Sequence, residues 1–324
     1  MVIEKASSKP GKWRRVFVIG FFAIAIALIG SELALRSMGL GKPLLLQRDA
    51  AAGYIIQPNQ TLHRLGGYTH INAYGMRADD LPMSKPPGVF RVLFVGDSFA
   101  YGTTQVDQSK IFTQILQHEL PSQIHRPVQV LNASAGGWAI PNEVGYVRSR
   151  GLFNADLVML VLNQGDPGQP FEAFDPNDYT ADHHPLFALQ EAWQRYSLVR
   201  LFPGKPGTPQ VATSSEKQIE AQNLASLDQL LAITRAANVP LAIAYIPTPA
   251  FPESPAPLIA WCADRHVTLI DLTPVASHWP AEGLLLPDHA HYNTKGNRLI
   301  ADQLEKNWSL VMPAAGEPAT GARP

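Results

Sequence analysis

The chain is poor in several features that would tie it to a common class. One cysteine, Cys262, stands among 324 residues. That excludes an internal disulfide, and its distance from the N-terminus excludes a lipid-modified anchor cysteine, though it leaves the compartment open. No surplus of positive charge is present: 26 Lys and Arg face 27 Asp and Glu, for a net charge of −1. Without a basic stripe, nucleic acid is not an expected partner. No internal repeat is apparent. Histidine clusters are short, and neither Asp182-His183-His184 nor His289-Ala290-His291 has the further ligands at supporting spacing that a zinc site needs. No metal or other cofactor is therefore expected. A Gly-x-Ser-x-Gly elbow is missing too, because Ala100 stands where the last glycine would be. Apolar residues make up 46% of the chain, enough for a full core.

One long apolar run is present near the N-terminus. Val16 to Gly30 carries no charge, and Ser31 to Leu35 extends it with Glu32 alone. Twenty helical residues span about 30 Å, the thickness of a bilayer's hydrocarbon layer. Lys5, Lys9, Lys12, Arg14 and Arg15 precede the run against a single Glu4. This flank predicts a cytoplasmic N-terminus over 1–15, a single span over 16–35 in the inner membrane, and a periplasmic domain beyond it. A cleaved signal peptide is the rival. The candidate cleavage sites, Ser31-Glu32-Leu33 and Leu35-Arg36-Ser37, lack a small-x-small pattern, so the expectation is an uncleaved anchor.

Two short blocks carry the chemistry. In the first, Val92 to Gly96 is a brief apolar run ending in glycine, followed at once by Asp97 and Ser98 and then by a helical stripe (Ile111, Ile115, Leu116, Leu120). A buried parallel strand has this form, and open α/β sheets place their ligands at its carboxyl end. Ser98 is thus a candidate nucleophile. Read alone, Asp97 and Ser98 would serve equally as a turn or a helix cap. The second block, Leu286 to Gly296, reads LPDHAHYNTKG ahead of a last helix marked by Leu299, Ile300, Leu304 and Trp308. A serine needs a base, and the base an orienting group. His291 and Asp288 supply both from one loop.

Gly96-Asp97-Ser98, together with the late Asp288-x-x-His291, Asn293 and Gly296, resembles the SGNH/GDSL hydrolase family over residues 91–308. The resemblance implies Ser98 as nucleophile, His291 as base and Asp288 as its orienting acid. It also implies an oxyanion hole from the N–H groups of Ser98 and Gly137, with Gly136 as the fallback. The third strand of the family ends in Gly-x-Asn-Asp, whereas this chain has Asn163-Gln164-Gly165-Asp166. Alignment places Gly165 at the asparagine. Asn163 faces the same side one pleat repeat away, roughly 6.5–7 Å, and reaches the hole only if the strand ends early or bulges.

Apolar runs at Val128–Leu131, Leu157–Leu162, Leu241–Ile246 and Val267–Leu272 alternate with helical stretches at Pro141–Arg150, 216–237 and Ala256–Arg265. With Val92–Gly96 they predict a five-stranded, doubly wound parallel sheet, and the resemblance implies the flavodoxin-like order 2-1-3-4-5. Residues 36–90 read as an irregular lead-in. Its Ile71-Asn72-Ala73-Tyr74-Gly75-Met76-Arg77 matches a segment found ahead of the nucleophile in membrane-anchored bacterial members, where packing against the sheet is a better expectation for Arg77 than substrate binding. Residues 167–215 form an insertion with an apolar stripe at Leu186, Leu189, Trp193, Tyr196, Val199 and Phe202, a candidate lid or substrate wall. Residues 309–324 read as a disordered tail, Pro/Ala/Gly-rich from Pro313.

The functional expectation is a membrane-anchored serine esterase acting on O-acyl esters of envelope or exported carbohydrate. The alternatives are an O-acyltransferase with the same triad and a non-catalytic SGNH-like partner of an envelope complex. No substrate-binding residue is assigned.

Overall fold

A computed structural model describes residues 11–176, 181–194, 214–248, 253–280 and 283–312. They fall into two compact units, residues 11–43 with 183–194, and the described parts of 44–182 and 205–324.

The first unit is built on α1 (Gly11–Ser37), whose residues Trp13–Ser37 have the length and hydropathy of a membrane span. Phe17, Ile19, Phe21, Ile24 and Ile26 are all largely exposed. By length and composition, a helix apolar on all sides is of the kind that can cross a membrane. The unit also holds the short α5 (Ala188–Ala192). Of the expected stripe, Leu186 precedes this helix, Leu189 lies within it and Trp193 caps its end, while Tyr196, Val199 and Phe202 lie outside the described residues, as do 1–10 and the tail from 313.

The second unit opens with two antiparallel hairpins, β1 (Leu46–Asp49) with β2 (Gly53–Ile56) and β3 (Gln60–Arg64) with β4 (Gly67–Ile71). The expectation of an irregular lead-in is corrected here. Four- and five-residue strands are too short to show sustained alternation. The turn joining β3 to β4 also puts Leu65 at φ 49° ahead of Gly66 at φ 86°, where Asn-Gly is the usual signal.

The five-stranded sheet follows: β5 (Phe90–Gly96), β6 (Val128–Ser134), β7 (Leu157–Leu162), β8 (Leu241–Tyr245) and β9 (Thr268–Asp271). All neighbours are parallel, in the order β6-β5-β7-β8-β9, which is 2-1-3-4-5. Successive strand residues point to opposite faces, and the core divides accordingly. Val92 and Phe94 pack with α3 (Phe112–Ile124) and α9 (Thr294–Lys306). Leu93 and Val95 pack with α4 (Ile140–Arg150), α6 (Ser214–Ala236), α7 (Ala256–Arg265) and the hairpin residues Tyr54, Ile55 and Ile56. Each such fully buried side chain contributes about 1.5–3 kcal/mol, so continuous apolar strands are what a sheet covered on both faces demands.

Candidate active site

Gly96 ends β5, and its place is dictated by contact: a Cβ there would lie 2.8 Å from the Ala100 Cβ and 3.0 Å from the Val161 carbonyl oxygen. The missing side chain lets the chain turn directly into the short α2 (Ser98–Tyr101), capped by Asp97, whose Oδ1 accepts the Phe99 N–H at 2.8 Å. Asp97 is therefore the helix cap, and Ser98 stands first in the helix, partly exposed at the carboxyl edge of the sheet.

Arg77 holds the loop beyond this turn. Fully buried, its guanidinium donates to the carbonyls of Tyr101 (2.8 Å), Thr103 (2.6 Å) and Val106 (2.6 Å) and to Gln108 Oε1 (3.1 Å). The planar fork of arginine suits such convergent acceptors. Its side chain thus pins the loop that follows α2, where the expectation is packing against the sheet.

At the other end of the chain, Asn293 caps α9 by accepting the N–H groups of Lys295 and Gly296. Its Nδ2 donates to the carbonyls of Gly283 and Leu285, so the cap also closes the loop before it. Within that loop Asp288 Oδ1 accepts the backbone N–H groups of Ala290 and His291, both at 3.0 Å. Asp288 Oδ2 lies 2.9 Å from His291 Nδ1, and His291 Nε2 lies 2.9 Å from Ser98 Oγ. Burial alone would raise the Asp288 carboxyl. The hydrogen bonds from the His291 ring and from the two backbone N–H groups outweigh it and hold the pKa at about 2. An ionised carboxylate only accepts, so Nδ1 carries the ring proton and Nε2 is left to accept from the Ser98 hydroxyl. That hydroxyl has one hydrogen, and the 2.9 Å path to His291 wins over a 3.4 Å contact with Asp97 Oδ2. His289, at φ 58°, is exposed.

Gly137 follows β6 in a left-handed conformation, φ 82°, with Tyr54 Oη 3.0 Å from where a Cβ would be. Gly136 lies against Ser98, a Cβ built on it falling 3.9 Å from the Ser98 Cβ. The loop is braced from three sides. Tyr54 donates its hydroxyl to the Gly136 carbonyl (2.8 Å), Trp138 Nε1 donates to the Tyr54 carbonyl (2.8 Å), and Gln169 Nε2 donates to the Gly137 carbonyl (2.9 Å).

Asn163, just beyond β7, is buried. Its Nδ2 donates to Asp97 Oδ2 at 2.9 Å, its Oδ1 accepts the Gly165 N–H at 2.7 Å, and its own N–H goes to Asp166 Oδ2 at 2.6 Å. The residue ties the strand end to the carboxylate beside Ser98. Beneath it, Glu143 of α4 and Asp166 are both fully buried. Among the described residues, neither Glu143 oxygen has a hydrogen-bond partner, and Asp166 Oδ1 has none either. Burial first raises both carboxyls well above their ordinary range; the negative charge of Asp97 adds to this at each, and that of Asp166 adds at Glu143, while Asp97 is itself raised by burial. Asn223 of α6 closes the loop from outside, its Nδ2 donating to the carbonyls of Asp166, Pro167 and Gln169.

The sheet order 2-1-3-4-5 is the one that the resemblance to SGNH/GDSL hydrolases implies, and the three residues it points to, Ser98, His291 and Asp288, lie within hydrogen-bond reach one after the next. No protein-family model matches it, and no curated protein does. Among solved structures it is similar to TesA (16% identity, TM-score 0.42, covering 69% of this chain and 98% of that one). It is similar also to the psychrotrophic esterase EstA from Pseudoalteromonas sp. (16%, 0.39, 68% and 96%) and to the acetyl xylan esterase Axe2 from Geobacillus stearothermophilus (12%, 0.41, 72% and 100%).

Sequence reasoning named Ser98, Asp288 and His291, and the fold brings these three together. It did not name Tyr54, Trp138, Asn223 or Glu143. Trp138 directly follows Gly137, but nothing in a linear pattern joins it to Tyr54, 84 residues away.

Proposed function

We infer that this chain is a membrane-anchored serine esterase that works through an acyl-Ser98 intermediate. The observation that carries the reading is the unbroken relay from Asp288 Oδ2 through His291 to Ser98 Oγ, 2.9 Å at each step. His291 Nε2 takes the hydroxyl proton as Ser98 Oγ attacks the ester carbonyl carbon. Asp288 stabilises the imidazolium so formed without itself accepting the proton. The tetrahedral oxyanion is held by the N–H groups of Ser98 and Gly137. Collapse breaks the ester C–O bond, and His291 returns the proton to the leaving alcohol. Water then attacks the acyl-serine with His291 again as base, releasing the carboxylic acid and regenerating Ser98.

The basic flank before Val16 supports an N-in orientation, which puts the site on the periplasmic side. There, O-acylated envelope or exported carbohydrate is the substrate class. Hydrolysis is favoured over acyl transfer because the His291 and Asp288 side chains are 27% and 41% exposed, whereas a transferase must exclude water from its acyl-enzyme. The test follows a labelled acyl group from a carbohydrate ester in the presence of an oligosaccharide acceptor. Label recovered as free acid, and lost in Ser98→Ala, is expected. Label found mainly on the acceptor would overturn hydrolysis in favour of transfer.

A further inference from the structure

The unit built on α1 keeps a charged pair where a membrane span has little room for one. Glu32 lies about 24 Å along the helix axis from Val16, and Arg36 about 30 Å, which is the thickness of the hydrocarbon layer. The two are i, i+4 partners at 2.7 Å. Both also reach one other segment. The two Glu32 oxygens accept the N–H groups of Ala188 and Leu189, at 2.9 Å each, at the start of α5. Arg36 Nη2 donates to the Leu186 carbonyl at 2.8 Å. At the far end of α5, the buried Glu191 accepts the Gly41 N–H at 2.5 Å. The segment is thus fixed to α1 and to the turn that follows it. These bonds explain its position, but not its outer surface, where Leu186 is 80%, Phe187 58% and Trp193 60% exposed.

We propose that residues 185–193 lie on the outer face of the bilayer, with Leu186, Phe187 and Trp193 set into the boundary between headgroups and acyl chains. The proposal rests on α1 spanning the membrane. Depth selects lipid as the occupant. Hydrogen-bonded to Glu32 and Arg36, the segment sits about 24–30 Å from the inner edge of a layer about 30 Å thick. At that level tryptophan is favoured, because its apolar ring and polar N–H suit the two sides of the boundary. The only charged residue in 185–193 is Glu191, which is turned inward. The contact is therefore apolar and does not depend on anionic headgroups. Residues 185–193, part of the insertion over 167–215 read from sequence as a lid or substrate wall, are on this account a membrane foot.

The full chain in phosphatidylcholine nanodiscs provides the test, with one environment-sensitive fluorophore on a cysteine placed at Phe187. Cys262 is buried, so labelling is directed to the new thiol. Parallel labels at Leu186 and Trp193 guard against a local effect of one substitution. Ile24 reports the span, and Lys217 on α6 reports solvent. The Phe187 label should lose most of its emission to lipids carrying a nitroxide near the headgroup, resist aqueous iodide, and stay unchanged when anionic lipid is added. Quenching by iodide and not by lipid, with Ile24 still quenched by a nitroxide near the bilayer centre, would overturn the foot and leave the span standing. A label shielded from both quenchers would mean a protein partner or a second copy and would overturn it equally. Loss of lipid quenching at Ile24 would remove the span and the proposal together.

Discussion

His289 and His291 stand two residues apart in the same loop, and the geometry separates them as the Asp288-x-x-His291 spacing does. His291 is held by Asp288 on one side and reaches Ser98 on the other, whereas His289 is turned out at φ 58°. Replacing His291 with Ala should lower ester turnover at least ~100-fold through loss of the general base. His289→Ala should leave turnover within about two-fold, and a dead His289→Ala variant with an active His291→Ala would reverse the assignment. Asn163 raises a different choice. Its amide joins Asp97 to Gly165, so Asn163→Ala leaves a buried carboxylate short of a donor and should cost about 1–3 kcal/mol of stability alongside any fall in kcat. Unchanged stability with a ~100-fold or larger fall in kcat would make it an oxyanion donor instead. Glu143 is predicted to act through pH. Its carboxyl is raised well above the ordinary range by burial and by Asp166 and Asp97. From the unfolded value of about 4.3 upward to the folded one, the native state keeps a proton that the unfolded state has released, so stability falls as pH rises. Glu143→Gln removes the titration, and its advantage in urea midpoint over the parent should grow from about pH 5 to about pH 8. Parallel midpoints across that range would contradict a protonated Glu143.

At the scale of elements, what could be read from sequence was what local pattern determines. The run Leu157–Leu162 is β7 residue for residue, and Ala256–Arg265 is α7, because a parallel strand buried on both faces must be apolar throughout. β6 runs on from the expected Leu131 to Ser134. The extension was hidden by Asn132, whose side chain is satisfied by the Ala100 carbonyl and the Thr113 hydroxyl, partners a strand pattern cannot show. The hairpins at 46–71 were missed because their strands are short and one turn uses Leu65 where a left-handed residue is unusual. Site legibility divides the same way. Ser98, Asp288 and His291 sit in two compact linear blocks whose spacing carries meaning. Tyr54, Glu143 and Asn223 each act on the site from a distant element, through contacts that exist only once the sheet has formed.

For the whole molecule, one unit carries a helix with the length and hydropathy of a span and the other carries the relay, and the proposed function needs both. An anchor without an activated serine would suit a non-catalytic partner, the alternative that Asn163-Gln164-Gly165-Asp166 just beyond β7 suggests. An unactivated serine does not react with fluorophosphonates, so chemistry can separate the two directly. The decisive measurement is fluorophosphonate labelling of the full-length protein in detergent, with the modified peptide located by mass spectrometry. The account predicts modification at Ser98, abolished in Ser98→Ala and slowed at least ~100-fold in His291→Ala. A parent protein left unlabelled at Ser98, or a His291→Ala variant labelled as fast as the parent, would contradict it.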